Sequence, residues 1–149
     1  MNTSEGIRIG IDPGDHTGVA IVRDGVLAEC LTLPLHRALR VVLDLWDKRR
    51  PADPFRVVFE DARQRTWFQR ERSVGEYRGK LMGAGAAKRD ARIWEEALTD
   101  WGIPFEAHKP TAGGTKWNPA YWQRVTGYTG RTSEHARDAA LLVLHYVNQ

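Results

Sequence analysis

Three acidic residues close apolar segments that lie far apart in the chain. Asp12 ends Ile7–Ile11, Glu60 ends Val57–Phe59, and Asp138 falls on the first turns of a C-terminal helical pattern. A carboxylate beside a buried run is costly unless it finds a partner or a cation. If one fold brings the three together, a hard divalent ion such as Mg²⁺ is the natural neutraliser, because it prefers oxygen ligands. The residues after Glu60 suggest what such a centre would act on. Arg63, Arg65, Arg70 and Arg72 lie close together, with Trp67 and Phe68 between them. Guanidinium groups bind phosphates, and aromatic rings stack on unpaired bases. Lys109 and Lys116 flank a loop at Pro110–Gly114 and are further candidates for the phosphate backbone. Arg78, Lys80, Lys88 and Arg89 would extend the basic face.

The elements needed to position these groups follow from the pattern. Ile7–Asp12 reads as a buried strand, Pro13-Gly14 as a tight turn, and Gly18 opens a second strand, Val19–Arg23. Asp24-Gly25 is a strong hairpin signal, so Val26–Leu33 should return antiparallel. From Pro34 the period changes. Leu35, Leu39, Val42, Leu43 and Trp46 fall at helical spacing, and Pro51 and Pro54 end that run. Phe55–Glu60 is short and mostly apolar, as a parallel central strand would be. Arg63–Arg72 has no periodicity and reads as a surface loop.

A helix is expected from about Glu76 to Asp100, with a stripe of Ile93, Trp94, Ala97, Leu98 and Trp101. Its first half is rich in glycine and alanine from Gly79 to Ala87. Glycine costs up to about 1 kcal/mol per site against alanine in a helix. Either another backbone, a ligand or a second subunit approaches closely there, or the helix is broken before Lys88. Ile103–Ala107 is a fifth strand, Pro119–Val125 a short helix, and Ser133–Val147 the last helix. The order β-β-β-α-β-α-β-α predicts an α/β domain spanning 1–149. Its mixed sheet would hold three antiparallel and two parallel strands, with strand one central and helices on both faces. In such sheets ligands collect at the carboxyl ends of central strands. Asp12 and Glu60 occupy those ends.

Composition fits this picture. The chain has 149 residues, 42% hydrophobic, and a formal net charge of +3. That is compatible with a nucleic-acid partner but does not identify one. No apolar stretch approaches the roughly 20 residues needed to span a bilayer, and the opening Met-Asn-Thr-Ser-Glu-Gly lacks the basic start and apolar region of a signal peptide. One cysteine, Cys30, excludes an internal disulfide and argues against a multi-cysteine zinc site. Its apolar neighbours make it a core residue, and a reducing, cytoplasmic setting is expected.

Three stretches carry a resemblance. They are Ile9-Gly10-Ile11-Asp12-Pro13-Gly14 with Thr17-Gly18-Val19-Ala20, then Val57-Val58-Phe59-Glu60, and then Ser133-Glu134-His135-Ala136-Arg137-Asp138-Ala139-Ala140. With this element order, the chain from Ile7 to Tyr146 resembles the RNase H-like nucleases. Within them it is most similar to RuvC-type Holliday junction resolvases of the small phage or prophage branch. The first stretch alone is also how sugar kinases and actin-like ATPases open, but those need a second lobe of similar size.

The resemblance implies metal ligands at Asp12, Glu60 and Asp138. It also implies a fourth position at His135, an acid in some members and histidine in others, which either ligates metal or handles protons. It further implies two Mg²⁺ ions, with Mn²⁺ able to substitute, a homodimer, and hydrolytic cutting of four-way DNA junctions. The small-residue helix is the candidate dimer interface. Other readings are an RNase H-like nuclease acting on RNA or RNA–DNA hybrid, and a catalytically silent junction-binding module.

Overall fold

The computed structural model describes residues 5–65, 74–110 and 117–147. Alternation of apolar and small residues creates three antiparallel strands, β1 (Ile7–Asp12), β2 (His16–Arg23) and β3 (Val26–Pro34). The β2–β3 turn is made by Asp24 and Gly25, both at positive φ (48° and 84°), the backbone that a tight hairpin requires. Helix α1 (Leu35–Lys48) carries the chain across to β4 (Phe55–Glu60). Helix α2 (Val74–Trp101) then leads to β5 (Phe105–His108). The sheet order is β3-β2-β1-β4-β5, with β1 central and the β1–β4 and β4–β5 pairs parallel. Two further helices follow, α3 (Pro119–Thr126) and α4 (Glu134–Leu142). Among the described residues, no helix is long and apolar enough to cross a membrane.

Strand alternation divides the core into two layers. On one face Ile9, Ile11, Val19, Ile21, Val57 and Phe59 pack with Val42 of α1 and with Trp94 and Leu98 of α2. On the other, Ala20, Val22, Cys30 and Val58 pack with Trp122 of α3 and with Ala136, Ala139, Ala140 and Val143. The mixed five-stranded sheet is thus covered by helices on both sides, as the element order predicts.

Boundaries differ in places. The second strand begins at His16, because Asp12 still pairs with Gly18 across the antiparallel ladder. The fifth begins at Phe105, since Ile103 closes the end of α2 with a backbone bond to Leu98. The last helix stops at Leu142 rather than Val147. Val143 leaves helical geometry (φ −119°, ψ 12°), and a short 3₁₀ turn, Leu144–Tyr146, follows. The second helix is unbroken from Val74 to Trp101, which removes the alternative of a break before Lys88. A Cβ added at Gly75, Gly79, Gly83 or Gly85 would meet nothing within 4 Å. Within the described chain no backbone approaches those glycines, and Val74, Leu81 and Met82 stand exposed beside them.

Candidate functional site: a carboxylate cluster at the strand tips

Asp12 and Glu60 reach the same place for a geometric reason. Strands β1 and β4 are parallel and in register up to Ile11 opposite Phe59, so the next residues, Asp12 and Glu60, stand side by side. Ile11 and Phe59 face the α1–α2 layer. The period of two therefore turns Asp12 and Glu60 toward α4.

Helix α4 supplies the other two groups, and glycines let it come close enough. A Cβ added at Gly10 would collide with the carbonyl oxygen of Ala139, and one at Gly18 with the carbonyl oxygen of His135. Gly18 is the ladder partner of Asp12. The helix backbone thus rests directly on β1 and β2 at the level of the acid, with only Ala136, Ala139 and Ala140 between. Its start is fixed by Ser133, whose hydroxyl accepts from the Ala136 N–H and is hydrogen-bonded to Thr32 of β3. Cys30 donates from Sγ to the Ala136 carbonyl at 3.0 Å. Burial pushes that thiol up to about 12, so it is a core residue and not a nucleophile.

His135 and Asp138, at i and i+3, therefore face the strand tips. His135 Nδ1 lies 3.2 Å from Asp12 Oδ2; as the Nδ1–H tautomer the ring donates to the carboxylate. Burial pushes the Asp12 carboxyl up to about 6. The bond from His135 opposes that rise, and the charges of Glu60 and Asp138 add to it. Glu60 is also raised, first by burial and then by Asp138, while Arg65 and His108 pull it back. His108 is the ladder partner of Glu60. The four expected site residues are thus electrostatically in one site.

The donor set, three carboxylates and an imidazole, suits a hard divalent cation, and the mutual repulsion of the acids is what such a cation relieves. As the side chains stand, no group of three or more His, Cys, Asp or Glu among the described residues is gathered tightly enough to hold a metal ion.

Asp61 behaves differently from its neighbour. It is 4% exposed and receives Arg63 Nε at 2.8 Å, Arg63 Nη2 at 3.0 Å and the Arg63 backbone N–H at 3.0 Å. Burial pushes its carboxyl up, but the bonds from Arg63 and Gln64 outweigh that and hold it below the usual carboxylate range. The Arg63 guanidinium also pairs with Glu95 of α2.

Arg63, expected at the DNA, has its fork on Asp61 and Glu95 in this structure. The fork lies between two carboxylates on the α2 side of the sheet, where it locks the segment after β4. Arg65 remains near Glu60 through its charge. Lys80 is paired with Glu76 at 3.6 Å on α2, and Lys109 is exposed just beyond β5. Trp67, Phe68, Arg70 and Lys116 lie outside the described residues.

The sequence reading missed two contributors, Gly10 as a contact surface for α4 and His108 beside Glu60. A glycine inside a strand does signal close backbone approach. His108, one residue beyond the expected end of the fifth strand, carried no such signal.

Two comparisons with known proteins are negative: no protein-family model matches the chain, and no curated protein matches its sequence.

Proposed function

We propose that the protein is a divalent-metal-dependent endonuclease with an RNase H-like fold that cuts branched DNA, with four-way junctions as the preferred substrate. The observation that carries this reading is the placing of Asp12 and Glu60 at adjacent parallel strand ends, with His135 of α4 3.2 Å from Asp12 and the charge of Asp138 acting on both acids. Burial first, and then neighbouring negative charge, raises both strand-tip carboxyls: Glu60 and Asp138 act on Asp12, and Asp138 acts on Glu60. Structural ion-pair networks also shift carboxyls, but they place a cation opposite the acid, as Arg63 is placed opposite Asp61. Among the described residues, Asp12 faces an imidazole and no guanidinium or ammonium group.

Asp12, Glu60 and Asp138 would hold Mg²⁺, two ions in all, and Mn²⁺ is expected to substitute because imidazole is a better ligand for it. Bound there, such ions activate water and stabilise the leaving oxygen of a phosphodiester. The protein's own part is to orient. Asp12 fixes the His135 ring through Nδ1, which leaves Nε2 to ligate metal or to carry a proton. The net charge of +3 and the exposed Lys109 favour a polyanionic substrate. Two symmetric cuts across a junction call for a homodimer. The exposed small-residue half of α2, with Leu81 and Met82, is the surface assigned to it.

The deciding experiment offers a synthetic four-way junction, a linear duplex and an RNA–DNA hybrid with Mg²⁺ or Mn²⁺. Junction cutting that is lost in Asp138→Asn, with junction binding retained, is the expected result. Preferential cutting of the hybrid would move the substrate to RNA. Tight junction binding without cleavage in either metal would leave a silent binding module.

A further inference from the structure

A second site lies on a different flank of α4 from His135 and Asp138. A pocket of about 230 Å³ opens between α3, the turn after it and α4, bordered by Trp122, Tyr128, Gly130, Arg131, Thr132 and Arg137, and no acidic side chain lines it. Arg137 is held in place, with Nη1 donating to the Thr132 carbonyl at 3.3 Å and to Thr132 Oγ1 at 3.1 Å. Both partners are neutral, and among the described residues no carboxylate pairs with Arg137. Arg131 is exposed at the rim.

The aromatic wall is equally fixed. Tyr128 meets Trp122 edge-on with ring centroids 5.8 Å apart, and its N–H donates to Thr126 Oγ1 at 3.2 Å. Its hydroxyl reaches over Gly130, where a Cβ would come within 2.6 Å of that oxygen. Trp122 itself is 1% exposed, and its indole N–H has no hydrogen-bond partner, an uncommon state for a buried donor.

We propose that this pocket binds one backbone phosphate of a single nucleic-acid strand, with the sugar or base lying against Tyr128, and so anchors a strand beside the carboxylate cluster. Two guanidiniums with no acid between them select an anion, and Arg forks suit phosphate oxygens. The volume falls short of the roughly 300–1,000 Å³ of sites that enclose a whole small ligand. A group on a longer polymer fits it better. The ring supplies the stacking surface that single-strand sites use. The proposal takes its ligand from the nucleic-acid reading above but does not require cleavage.

The test measures binding of a labelled single-stranded oligodeoxynucleotide by fluorescence anisotropy, in EDTA and in the Asp138→Asn background, so that no cutting occurs. Arg131→Gln and Arg137→Gln are each expected to weaken binding roughly tenfold at low salt and to flatten the salt dependence by about one ion. Arg124→Gln, at an exposed arginine of α3 that does not line the pocket, serves as the control and should change affinity much less. Thermal melts establish that each variant is folded; Arg131, with no hydrogen bond or ion pair among the described residues, carries the test if Arg137→Gln is not.

Equal loss in Arg131→Gln and Arg124→Gln would overturn the site in favour of diffuse charge attraction, as would no loss in either. Displacement of the oligonucleotide by inorganic phosphate at matching concentration would overturn the strand-anchoring assignment in favour of a free-anion site. Failure of the junction-cleavage assay with this pattern intact would sink the nuclease reading and leave the pocket standing.

Discussion

Glu60 and Asp61 are adjacent acids at the end of one strand, and the fold treats them in opposite ways. Glu60 turns toward α4, beside Asp12 and Asp138, and its carboxyl is raised by burial and by another negative charge. Asp61 turns toward α2 and meets the Arg63 fork, which holds its carboxyl low. One residue of strand register therefore separates an acid held low by a bidentate arginine from one whose burial and acidic neighbour outweigh the pull of Arg65 and His108. Burial alone does not make an acid functional: both are shielded from water, and Asp61 belongs to the frame. The distinguishing feature is that Arg63 hydrogen-bonds Asp61 directly, whereas the positive charges near Glu60 do not offset its burial and the charge of Asp138.

The comparison can be broken most sharply at the acids themselves. Glu60→Gln and Asp138→Asn should each lower junction cleavage by more than about 100-fold, beyond what loss of an outer-shell partner brings to a metal site. Both should leave the melting temperature unchanged or raised. Cleavage within a factor of a few of the parent would place the chemistry elsewhere.

The seat of α4 comes next. Gly18→Ala sets a methyl against the His135 carbonyl, where only backbone can give way, and should destabilise the protein by about 3 kcal/mol, the upper end of common overpacking costs. Denaturant unfolding measures this, and an unchanged midpoint would mean that the helix does not rest on β2 as described.

Arg63→Ala should destabilise by about 2 kcal/mol, since it strands a buried carboxylate, while the DNA-binding salt dependence stays as in the parent. A flattened salt slope would return Arg63 to the phosphate-binding face. The sequence assigned all the arginines after Glu60 to substrate because charge and position were all it offered. The bond to Asp61 depends on which way the chain turns after β4, and that is set by contact with α2.

The smallest effect is on stability against pH. The Asp12 carboxyl is raised in the native state from its ordinary 3.8 to about 6. Between those values the folded protein holds more protons than the unfolded chain. The contribution to stability is thus full below pH 3.8 and is lost as pH rises through about 6. Asp61 has the reverse sign, contributing above its ordinary range and losing that contribution in acid. In EDTA, Asp12→Asn should therefore melt higher than the parent above pH 6 and match it near pH 3.8. Coincident melting curves across that range would mean that Asp12 is not strained in the metal-free protein.

Much of the architecture was legible from pattern alone. Strand and helix periods, the Asp24-Gly25 turn and the proline stops gave five strands in the right order with β1 central. Asp12 and Glu60 were likewise expected at the carboxyl ends of central strands. These are local properties, because the period of side chains along a segment decides which face is apolar. Other features depended on contacts between distant segments. Gly10 and Gly18 seat α4 at the height of Asp12, His108 arrives beside Glu60 through the β4–β5 register, and Arg63 turns inward to Asp61 and Glu95. The arginine-lined pocket exists only where α3 and α4 meet. No local pattern encodes such distances, since they are fixed by how closely two backbones can approach and by which charge lies across the gap.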